Sequence, residues 1–463
     1  MVIIGTGIGG LSVAALLVKS GISVTMFEKA SKVGGRTSSM MFRNHILDNG
    51  FHIMPFYKKS AIYTVLKKVG IENKLKLSKV KNIEFYSNDN NSNSSISNNF
   101  YRYPKGISDI IFGLSMIPFR SRIKLLKILL PLAFTSIKKT ERWDTISLTQ
   151  AIKCLNDNTK SFFDAICMLA FADTPERISL GEFARTIIRA NPFRGGTSEF
   201  GYPQDGGYDT IAKILAQYIK QTGENNNNNT ITTNTGNKIL LNCPVTKVTV
   251  KDGNVKGVTT FDGRFIETNC VIISYPAYFA INELFEKGVF SEEFKSKVNR
   301  LNRTTSVVEV HFALSQRIEK QRQVVFPIGD HFTAKGIFFI SNITESVSPR
   351  DEYLVLVGTP VSHEDPAKSE NIARISELMK KDLQQIYPHF RQSLIWERPM
   401  AWQLVESVVK EPGLVWKQKM PHEVSYVKGL FFVGDSTVSY GVGTDSAAHS
   451  ALLCYPKIMS YLR

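Results

Sequence analysis

The chain begins with a short apolar run that leads into a glycine-rich loop. Val2 to Gly5 predicts a buried strand, and Gly5-Thr6-Gly7-Ile8-Gly9-Gly10 completes the loop. Leu11 to Ser20 then predicts a helix, and Ser23 to Glu28 predicts a second strand. In a G-x-G-x-x-G loop the first glycine permits a tight turn, the second lets backbone approach a pyrophosphate, and the third lets helix and strand pack closely. The chain is therefore predicted to open with a dinucleotide-binding βαβ unit.

An acidic residue ends the second predicted strand. Glu28 is placed there to bind ribose hydroxyls, and it would repel the 2′-phosphate of NADP, which leaves FAD or NAD. The helix N-terminus supplies N–H groups and partial positive charge to the phosphates. The predicted binding residues of this segment are Gly5, Gly7, Ile8, Gly9, Gly10, Glu28 and Lys29.

Two further glycine-containing segments favour FAD over NAD. In Gly34-Gly35-Arg36-Thr37 the paired glycines let backbone approach a ligand, and Arg36 offers a cation for the diphosphate or the flavin edge. Gly429 to Val433 predicts a strand that ends at Gly434-Asp435, whose carboxylate can accept a ribityl hydroxyl. The plainer interpretation is a surface loop and a closing strand, with Asp435 as an N-cap.

A small-residue helix is predicted to open near Thr444. Its positive end would face the flavin pyrimidine ring and stabilise an anionic reduced flavin. FAD is therefore the predicted cofactor. The predicted contacts in this part of the chain are Gly434, Asp435, Gly443, Thr444 and Asp445. No Cys/His cluster has metal-ligand spacing, so no metal site is predicted.

The three motifs, in this order, resemble the flavoprotein superfamily of amine oxidases, protoporphyrinogen oxidases and phytoene desaturases over nearly the whole chain. The resemblance implies that the first motif binds the ADP half of FAD, that Gly34-Gly35-Arg36 lies by the pyrophosphate, and that Gly434-Asp435 meets the ribityl chain and the flavin ring. Val245 resembles the position whose backbone meets the adenine. Tyr202 to Tyr208 is similar to the family's P-x-G-G helix entry.

Within that superfamily, the C-terminal segment is more similar to phytoene desaturases than to amine oxidases. Amine oxidases usually place an aromatic residue of the substrate cage where this chain has Thr444. Gly441-x-Gly443 and the following Ser450-Ala451 resemble phytoene desaturases and related isoprenoid oxidoreductases, although Asp445 replaces their commoner proline. The resemblance implies an oxidoreductase that oxidises, isomerises or saturates a long apolar isoprenoid or polyene by hydride transfer with flavin N5.

Two other functions stay open. One is a protoporphyrinogen oxidase or an amine oxidase of the same superfamily, and the other is a flavin-holding protein that binds an isoprenoid without turnover. Asp48-Asn49-Gly50-Phe51-His52 resembles a D-x-G-x-H stretch beside the reactive edge of the flavin, so His52 is the candidate catalytic residue, with a structural role as its alternative. No second G-x-G-x-x-G for NAD(P)H is present, which leaves the electron acceptor undetermined.

The predicted fold class is α/β, with a discontinuous Rossmann-like FAD-binding domain of the glutathione-reductase type and a second, mixed α+β substrate-binding domain. The first domain is predicted to comprise residues 1–85, 202–285 and 425–463, and the second to comprise 86–201 and 286–424. Helical spacing dominates 106–190, and strands are predicted at 239–241, 245–250, 255–261, 271–274, 305–314, 336–341 and 352–358. Two polar segments, 88–99 and 225–237, are predicted to be mobile loops.

A net charge of +16 favours anionic partners. No nucleic-acid motif accompanies the charge, so nucleic acid is not a predicted partner. Between Ile110 and Ile137, apolar clusters alternate with Arg120, Arg122, Lys124 and Lys127. This pattern is typical of an interfacial helix, in the helical part at 106–140, or of a core helix with a basic outer face.

Location follows from the apolar runs and the cysteines. No uncharged apolar run reaches the ~18 residues of a spanning helix. The five cysteines are scattered singly, which favours reduced thiols. The prediction is a cytoplasmic protein with peripheral contact to an anionic membrane surface and an apolar small-molecule substrate.

Overall fold

The computed structural model describes residues 1–88, 99–224, 236–362 and 368–463. The predicted mobile loops at 88–99 and 225–237 lie almost wholly outside these residues. The strands are β1 Val2–Ile4, β2 Thr25–Phe27, β3 Ser39–Phe42, β4 His45–Asp48, β5 Met54–Pro55, β6 Leu77–Val80, β7 Ile83–Tyr86, β8 Phe100–Arg102, β9 Phe200–Pro203, β10 Lys238–Leu240, β11 Val245–Lys251, β12 Asn254–Thr260, β13 Phe265–Glu267, β14 Val271–Ile273, β15 Ser306–Leu314, β16 Val324–Pro327, β17 Gly336–Phe339, β18 Tyr353–Val361, β19 Leu394–Trp402, β20 Glu423–Val424 and β21 Val427–Phe432.

The helices alternate with these strands in the first sheet and cluster between β8 and β9. They are α1 Ile8–Lys19, α2 Ala61–Val69, α3 Phe119–Phe134, α4 Leu148–Ile152, α5 Asp157–Phe171, α6 Leu180–Ala190, α7 Thr210–Glu224, α8 Ala277–Glu283, α9 Glu292–Asn299, α10 Ser369–Ile386, α11 Phe390–Ser393 and α12 Gly443–Tyr461.

The first sheet has the order β10-β2-β1-β14-β21-β12-β11, with β13 beside β12 and β20 beside β21. Its first five strands are parallel, with Ile3 opposite both Met26 and Ile272. Ile3 packs toward α1 in one core, whereas Val2 and Ile4 face a second core formed with α8. A parallel sheet covered on both faces confirms the predicted α/β class.

The second sheet has the order β19-β15-β18-β17-β16-β7-β8 and is mostly antiparallel. Strand β15 is buried along its whole length and pairs with β18 and β19. Helix α10 covers one face, where Ile375, Met379 and Leu383 join the core of β15. The helical section predicted for 106–190 is confirmed as α3 to α6 with shorter turns between them. The division into two domains at the predicted boundaries stays a prediction.

Several predicted boundaries were wrong. Helix α1 begins at Ile8, three residues before the predicted start, because Gly9 and Gly10 continue the helix. Strand β2 is shorter than predicted, at Thr25–Phe27. Strand β19 was not predicted, since Glu397, Arg398 and Pro399 interrupt any alternation; the proline fits because β19 lies at the edge of its sheet.

Candidate active site

The first of two cavities opens at the carboxyl ends of β1, β14 and β21, beside the start of α1. We call it the cofactor cavity. Ligands of open α/β sheets bind at this edge. The predicted cofactor-binding residues that line it are Gly5, Gly7, Ile8, Gly9, Glu28, Lys29, Gly35, Arg36, Val245, Gly434 and Asp435. Helix α1 has no side-chain cap, so its first-turn N–H groups stay available to phosphate oxygens.

Glycines set the shape of the loop between β1 and α1. Gly5 has φ +93°, in the region that other residues rarely adopt. Gly10 does not line the cavity; a Cβ there would lie 2.4 Å from the carbonyl oxygen of Gly5 and 2.9 Å from the Cβ of Ser274. Gly10 is therefore a packing residue that lets α1 approach β1 and β14.

Gly34 and Thr37 also lie behind the cavity wall. The Gly34 N–H donates to the Thr6 carbonyl at 3.0 Å, and the Thr37 hydroxyl donates to the Gly34 carbonyl at 2.7 Å. These two residues hold the turn that presents Gly35 and Arg36 to the cavity. Their direct contact with FAD stays a prediction.

Glu28 is fixed at the end of β2 by its own loop. Its carboxylate accepts hydrogen bonds from the Thr6 N–H at 2.8 Å, the Thr6 hydroxyl at 2.7 Å and the Ala30 N–H at 2.9 Å. These bonds orient an acid beside the cofactor cavity, where a 2′-phosphate would be repelled.

Arg36 and Asp435 form an ion pair in the wall of the cofactor cavity. The guanidinium donates to the two Asp435 oxygens at 2.6 and 3.0 Å and to the Val405 carbonyl at 2.9 Å. Asp435 also accepts from the Ser407 N–H and hydroxyl, both at 2.7 Å. Burial alone would raise the pKa of Asp435, but Arg36 outweighs it and holds that pKa well below its usual range. Both charges predicted to meet the cofactor are thus oriented by each other.

The second cavity is lined mainly by apolar side chains, and we call it the apolar cavity. Its free volume is about 140 Å³. Its polar lining comes chiefly from His52, Tyr208, Glu406 and Thr444. The apolar side chains that line it include Phe51, Ile53, Phe56, Ile166, Met168, Leu169, Phe171, Phe183, Ile187, Phe200 and Phe338.

His52 lines the apolar cavity with a fixed tautomer. Its Nε2 lies 3.0 Å from the Asn49 carbonyl and 3.3 Å from the Arg36 carbonyl. Because carbonyls only accept, Nε2 carries the proton. Burial lowers the pKa of His52 despite the nearby Asp48 carboxylate, so the ring is neutral. It stacks on Tyr208 at 4.9 Å, and the Tyr208 hydroxyl meets the Thr444 hydroxyl at 3.1 Å.

The start of α12 belongs to the apolar cavity and its supports. Gly443 and Thr444 line that cavity, whereas Asp445 lines neither cavity. The buried Asp445 carboxylate accepts from Arg189 of α6 at 2.5 Å and from the Ala61 N–H of α2 at 2.6 Å. Its place in the structure is a link between three helices. The predicted FAD contacts of these three residues stay predictions.

The two cavities share one wall, which the sequence did not predict. We call Leu404 to Ser407 the dividing segment. Leu404 and Ser407 line the cofactor cavity, and Val405 and Glu406 line the apolar cavity. No local motif marks these residues, and only the bonds of Val405 and Ser407 to the Arg36–Asp435 pair would have revealed them.

Glu309 lies behind the His52 segment and was also missed. Its Oε1 accepts from the Gly50 N–H at 3.1 Å and the Trp402 indole N–H at 2.6 Å. Burial raises the pKa of Glu309 to about 8. The folded protein therefore binds this proton more tightly than the unfolded chain, and its stabilising effect is lost as pH rises through about 8.

Glu309→Gln is accordingly expected to change the pH dependence of stability. The amide keeps a neutral group at this position, so the variant should lose less stability than wild type between pH 5 and pH 9. The measurement is urea unfolding of both proteins across that range. A difference between variant and wild type that does not change with pH would contradict the assignment.

Other groups add little chemistry to the site. Among the described residues no group of three or more His, Cys, Asp or Glu side chains could hold a metal ion. All five cysteines are free thiols. No helix in the described part of the chain is long and apolar enough to cross a membrane.

Comparisons with known proteins extend over nearly all of this structure. The model of the family described as flavin containing amine oxidoreductase matches residues 8–454. The phytoene desaturase of Phycomyces blakesleeanus is 23% identical over 401 residues, which cover 78% of this chain and 65% of that protein. The 4,4'-diapophytoene desaturase (4,4'-diapolycopene-forming) of a Methylomonas species is 22% identical over 366 residues, covering 75% and 68%.

A solved structure agrees in fold. An oxidoreductase from Methanosarcina mazei superposes with a TM-score of 0.76 at 19% identity and covers 99% of both chains. At this identity the likeness shows the fold alone. The match to the two curated relatives spans about two thirds of their length.

Proposed function

Because the chain belongs to the flavin containing amine oxidoreductase family, we propose that this FAD-dependent oxidoreductase dehydrogenates a long apolar polyene or isoprenoid. One observation carries the proposal: an apolar cavity and a cofactor cavity share the dividing segment. A substrate chain in the first cavity would lie next to a flavin in the second, where the two cavities adjoin at this segment. FAD, when bound, accepts a hydride equivalent from a substrate carbon.

Different residues of the cofactor cavity would bind different parts of FAD. The first turn of α1 would meet the pyrophosphate, and Glu28 the adenosine ribose. Val245 would lie against the adenine. Arg36 and Asp435 would meet the diphosphate and the ribityl chain, as the sequence predicts. FAD fits this set because the amide donors, the ribose acid and the cation line one cavity.

The chemistry of the apolar cavity favours a slender apolar chain. Its aromatic and aliphatic lining suits an apolar substrate segment such as part of a polyene. The lining excludes water from the reacting carbons. Both matched relatives carry desaturase names, which supports the same substrate class for this chain.

An amine substrate is disfavoured by two features. Thr444 occupies the position where amine oxidases usually have an aromatic residue of the substrate cage. The carboxylate in the apolar cavity, Glu406, lies 3.1 Å from Lys410, so its charge is already compensated. A cationic amine would therefore meet an ion pair and not an isolated carboxylate.

A peroxide assay separates the proposal from its alternatives. Wild-type protein is given a polyene, an amine or protoporphyrinogen in air, and hydrogen peroxide is measured. We expect no peroxide from the amine or from protoporphyrinogen. Rapid peroxide release with either compound would show that this compound, and not a polyene, is the substrate. A flavin that no candidate reduces would favour binding without turnover.

We also propose peripheral contact with an anionic membrane surface, through the helical part at 106–140. Phe119 and Phe134 of α3 are 57% and 55% exposed, and Phe193 is 77% exposed with its ring 6.5 Å from that of Phe134. Lys124 and Lys127 of the same helix are exposed. Aromatic side chains beside cations are typical of an interfacial site.

Liposome flotation tests this contact. The wild-type protein is expected to float with anionic liposomes at low salt and to be released at high salt, because salt screens the attraction. Phe134→Ser with Phe193→Ser should reduce the floated fraction. Phe261→Ser with Phe265→Ser is the matched control, since these rings are 79% and 54% exposed beside β12 and β13. Wild-type protein that stays unbound at low salt would contradict the proposal.

A further inference from the structure

We propose that Glu406 takes the proton that the substrate loses during dehydrogenation, with Lys410 as its counter-ion. The inference deepens the proposed function and rests on it. Glu406 was not marked by any sequence motif. It is a charged side chain in the lining of the apolar cavity, and it lies in the dividing segment, where substrate and cofactor would meet.

The backbone around Glu406 is fixed on both sides. Its own N–H donates to the Thr305 hydroxyl at 2.9 Å. The preceding Val405 accepts from Arg36, and the following Ser407 donates twice to Asp435. The segment that carries the carboxylate is thus held by the same ion pair that borders the cofactor cavity.

The two oxygens of Glu406 have different surroundings. Oε2 lies 3.1 Å from the Lys410 ammonium. Oε1 lies on the side of Gly443, where an added Cβ would be only 3.3 Å from it. In the described part of the chain no group donates a hydrogen bond to Oε1. One oxygen is therefore committed to a cation, and the other is free toward the apolar cavity.

The counter-ion is buried together with the carboxylate. Lys410 is 2% exposed and Glu406 is 5% exposed. Burial alone would lower the pKa of Lys410, but Glu406, Glu182 and Asp435 together raise it above its usual value. The ammonium is therefore charged at neutral pH, and it compensates a carboxylate that would otherwise be costly to bury.

His52 is less well placed for this role. Its Nε2–H donates to two carbonyls, so a substrate proton would have to go to Nδ1 and charge the ring; burial lowers the pKa of His52 and disfavours that charged form. We assign His52 to positioning the wall formed with Tyr208. Glu406 is left as the candidate proton acceptor in the lining of the apolar cavity.

The step balances in atoms and electrons. A –CH2–CH2– unit of the substrate loses one hydrogen with its electron pair to FAD. A C–H bond on the adjacent carbon then breaks, and its electron pair becomes the second bond of C=C. The proton from that carbon forms an O–H bond with Glu406 Oε1. Substrate is oxidised by two electrons, and FAD is reduced by two.

The first test compares single-turnover bleaching of the flavin by a polyene under anaerobic conditions. Glu406→Gln is expected to slow bleaching by about 10²-fold, a typical contribution of a positioned base. Glu406→Asp keeps a carboxylate and should recover part of the rate. Glu411→Gln is the matched control, because Glu411 pairs with Arg177 and Arg303 and lines neither cavity. FAD content and thermal unfolding are measured for each variant.

The second test does not depend on rates. Infrared difference spectra of wild-type protein, before and after reduction by the polyene, should show a new protonated carboxylic acid. Its band should be absent in Glu406→Gln and shifted in Glu406→Asp. If Glu406→Gln fails to hold FAD, the spectra of wild type and Glu406→Asp decide alone.

Several results would overturn the assignment. Glu406→Gln that bleaches as fast as wild type, with FAD in place, removes Glu406 from the proton step. A wild-type spectrum without a protonated carboxylic acid does the same. If no polyene bleaches the flavin of the wild-type protein, the proposed function and this inference fail together. The other two results overturn only the role of Glu406.

Discussion

Asp435→Ala is expected to strip FAD from the protein and to lower the free energy of unfolding by about 3 kcal/mol, the lower end for breaking a buried ion pair. The carboxylate accepts two bonds from Arg36 and two from Ser407. Without it, Arg36 keeps its bond to the Val405 carbonyl but loses its counter-charge, and Ser407 loses both of its bonds to the carboxylate. The lower end applies because the Arg36 side chain is 37% exposed, toward the cavity.

The measurement combines flavin absorbance of the purified variant with urea unfolding. Asp435→Asn separates charge from shape, because the amide still accepts from Ser407 but no longer pairs with a cation. Glu423→Ala is the control: Glu423 pairs with Lys457 at the surface, where such pairs contribute about 0.5 kcal/mol. Full FAD content in Asp435→Ala would show that this carboxylate does not organise the cofactor site.

Gly10→Ala is expected to cost about 1–3 kcal/mol, the usual range for overpacking, and to impair FAD binding. The new Cβ would lie 2.4 Å from the Gly5 carbonyl oxygen and 2.9 Å from the Ser274 Cβ. Both are parts of strand ends that have little freedom to move. Helix α1 must therefore shift away from β1, and its N-terminus moves with it out of reach of the pyrophosphate.

Gly106→Ala is the matched control for this substitution. An added Cβ at Gly106 meets no atom within 4 Å, so thermal unfolding should stay close to that of wild type. FAD titration of apoprotein measures the affinity of each variant. Equal affinity and stability of Gly10→Ala and Gly106→Ala would contradict the packing role of the third glycine.

Part of the fold and of the candidate site could be predicted from the sequence alone, and part could not. The βαβ start could be predicted because each of its signals is local: apolar strands, a glycine loop and an acid at a fixed spacing. FAD as cofactor followed from three such segments, and the family comparison agrees with it. The residues of these segments that line the cofactor cavity are close together in space although Glu28 and Asp435 are far apart in the chain.

The dividing segment and its partners could not be predicted. The position of Glu406 between the two cavities depends on the bonds of Val405 and Ser407 to the Arg36–Asp435 pair. These are tertiary contacts between residues far apart in the chain. The contact of Asp445 with FAD stays a prediction, but the bond of its side chain to Arg189, 256 residues earlier in the chain, could not be predicted. Side-chain direction at a helix start is set by the elements packed there, and a single sequence does not encode it locally.

Anaerobic addition of a polyene to the purified protein tests the central claim most directly. The visible spectrum is recorded before and after addition, and the flavin is freed by heat and identified. We expect bound FAD whose absorbance bleaches when the polyene is added and stays unchanged when a saturated hydrocarbon of the same length is added. FAD that no polyene bleaches would contradict the proposed substrate class, and a protein that holds no flavin even after reconstitution would contradict the assignment of the cofactor cavity.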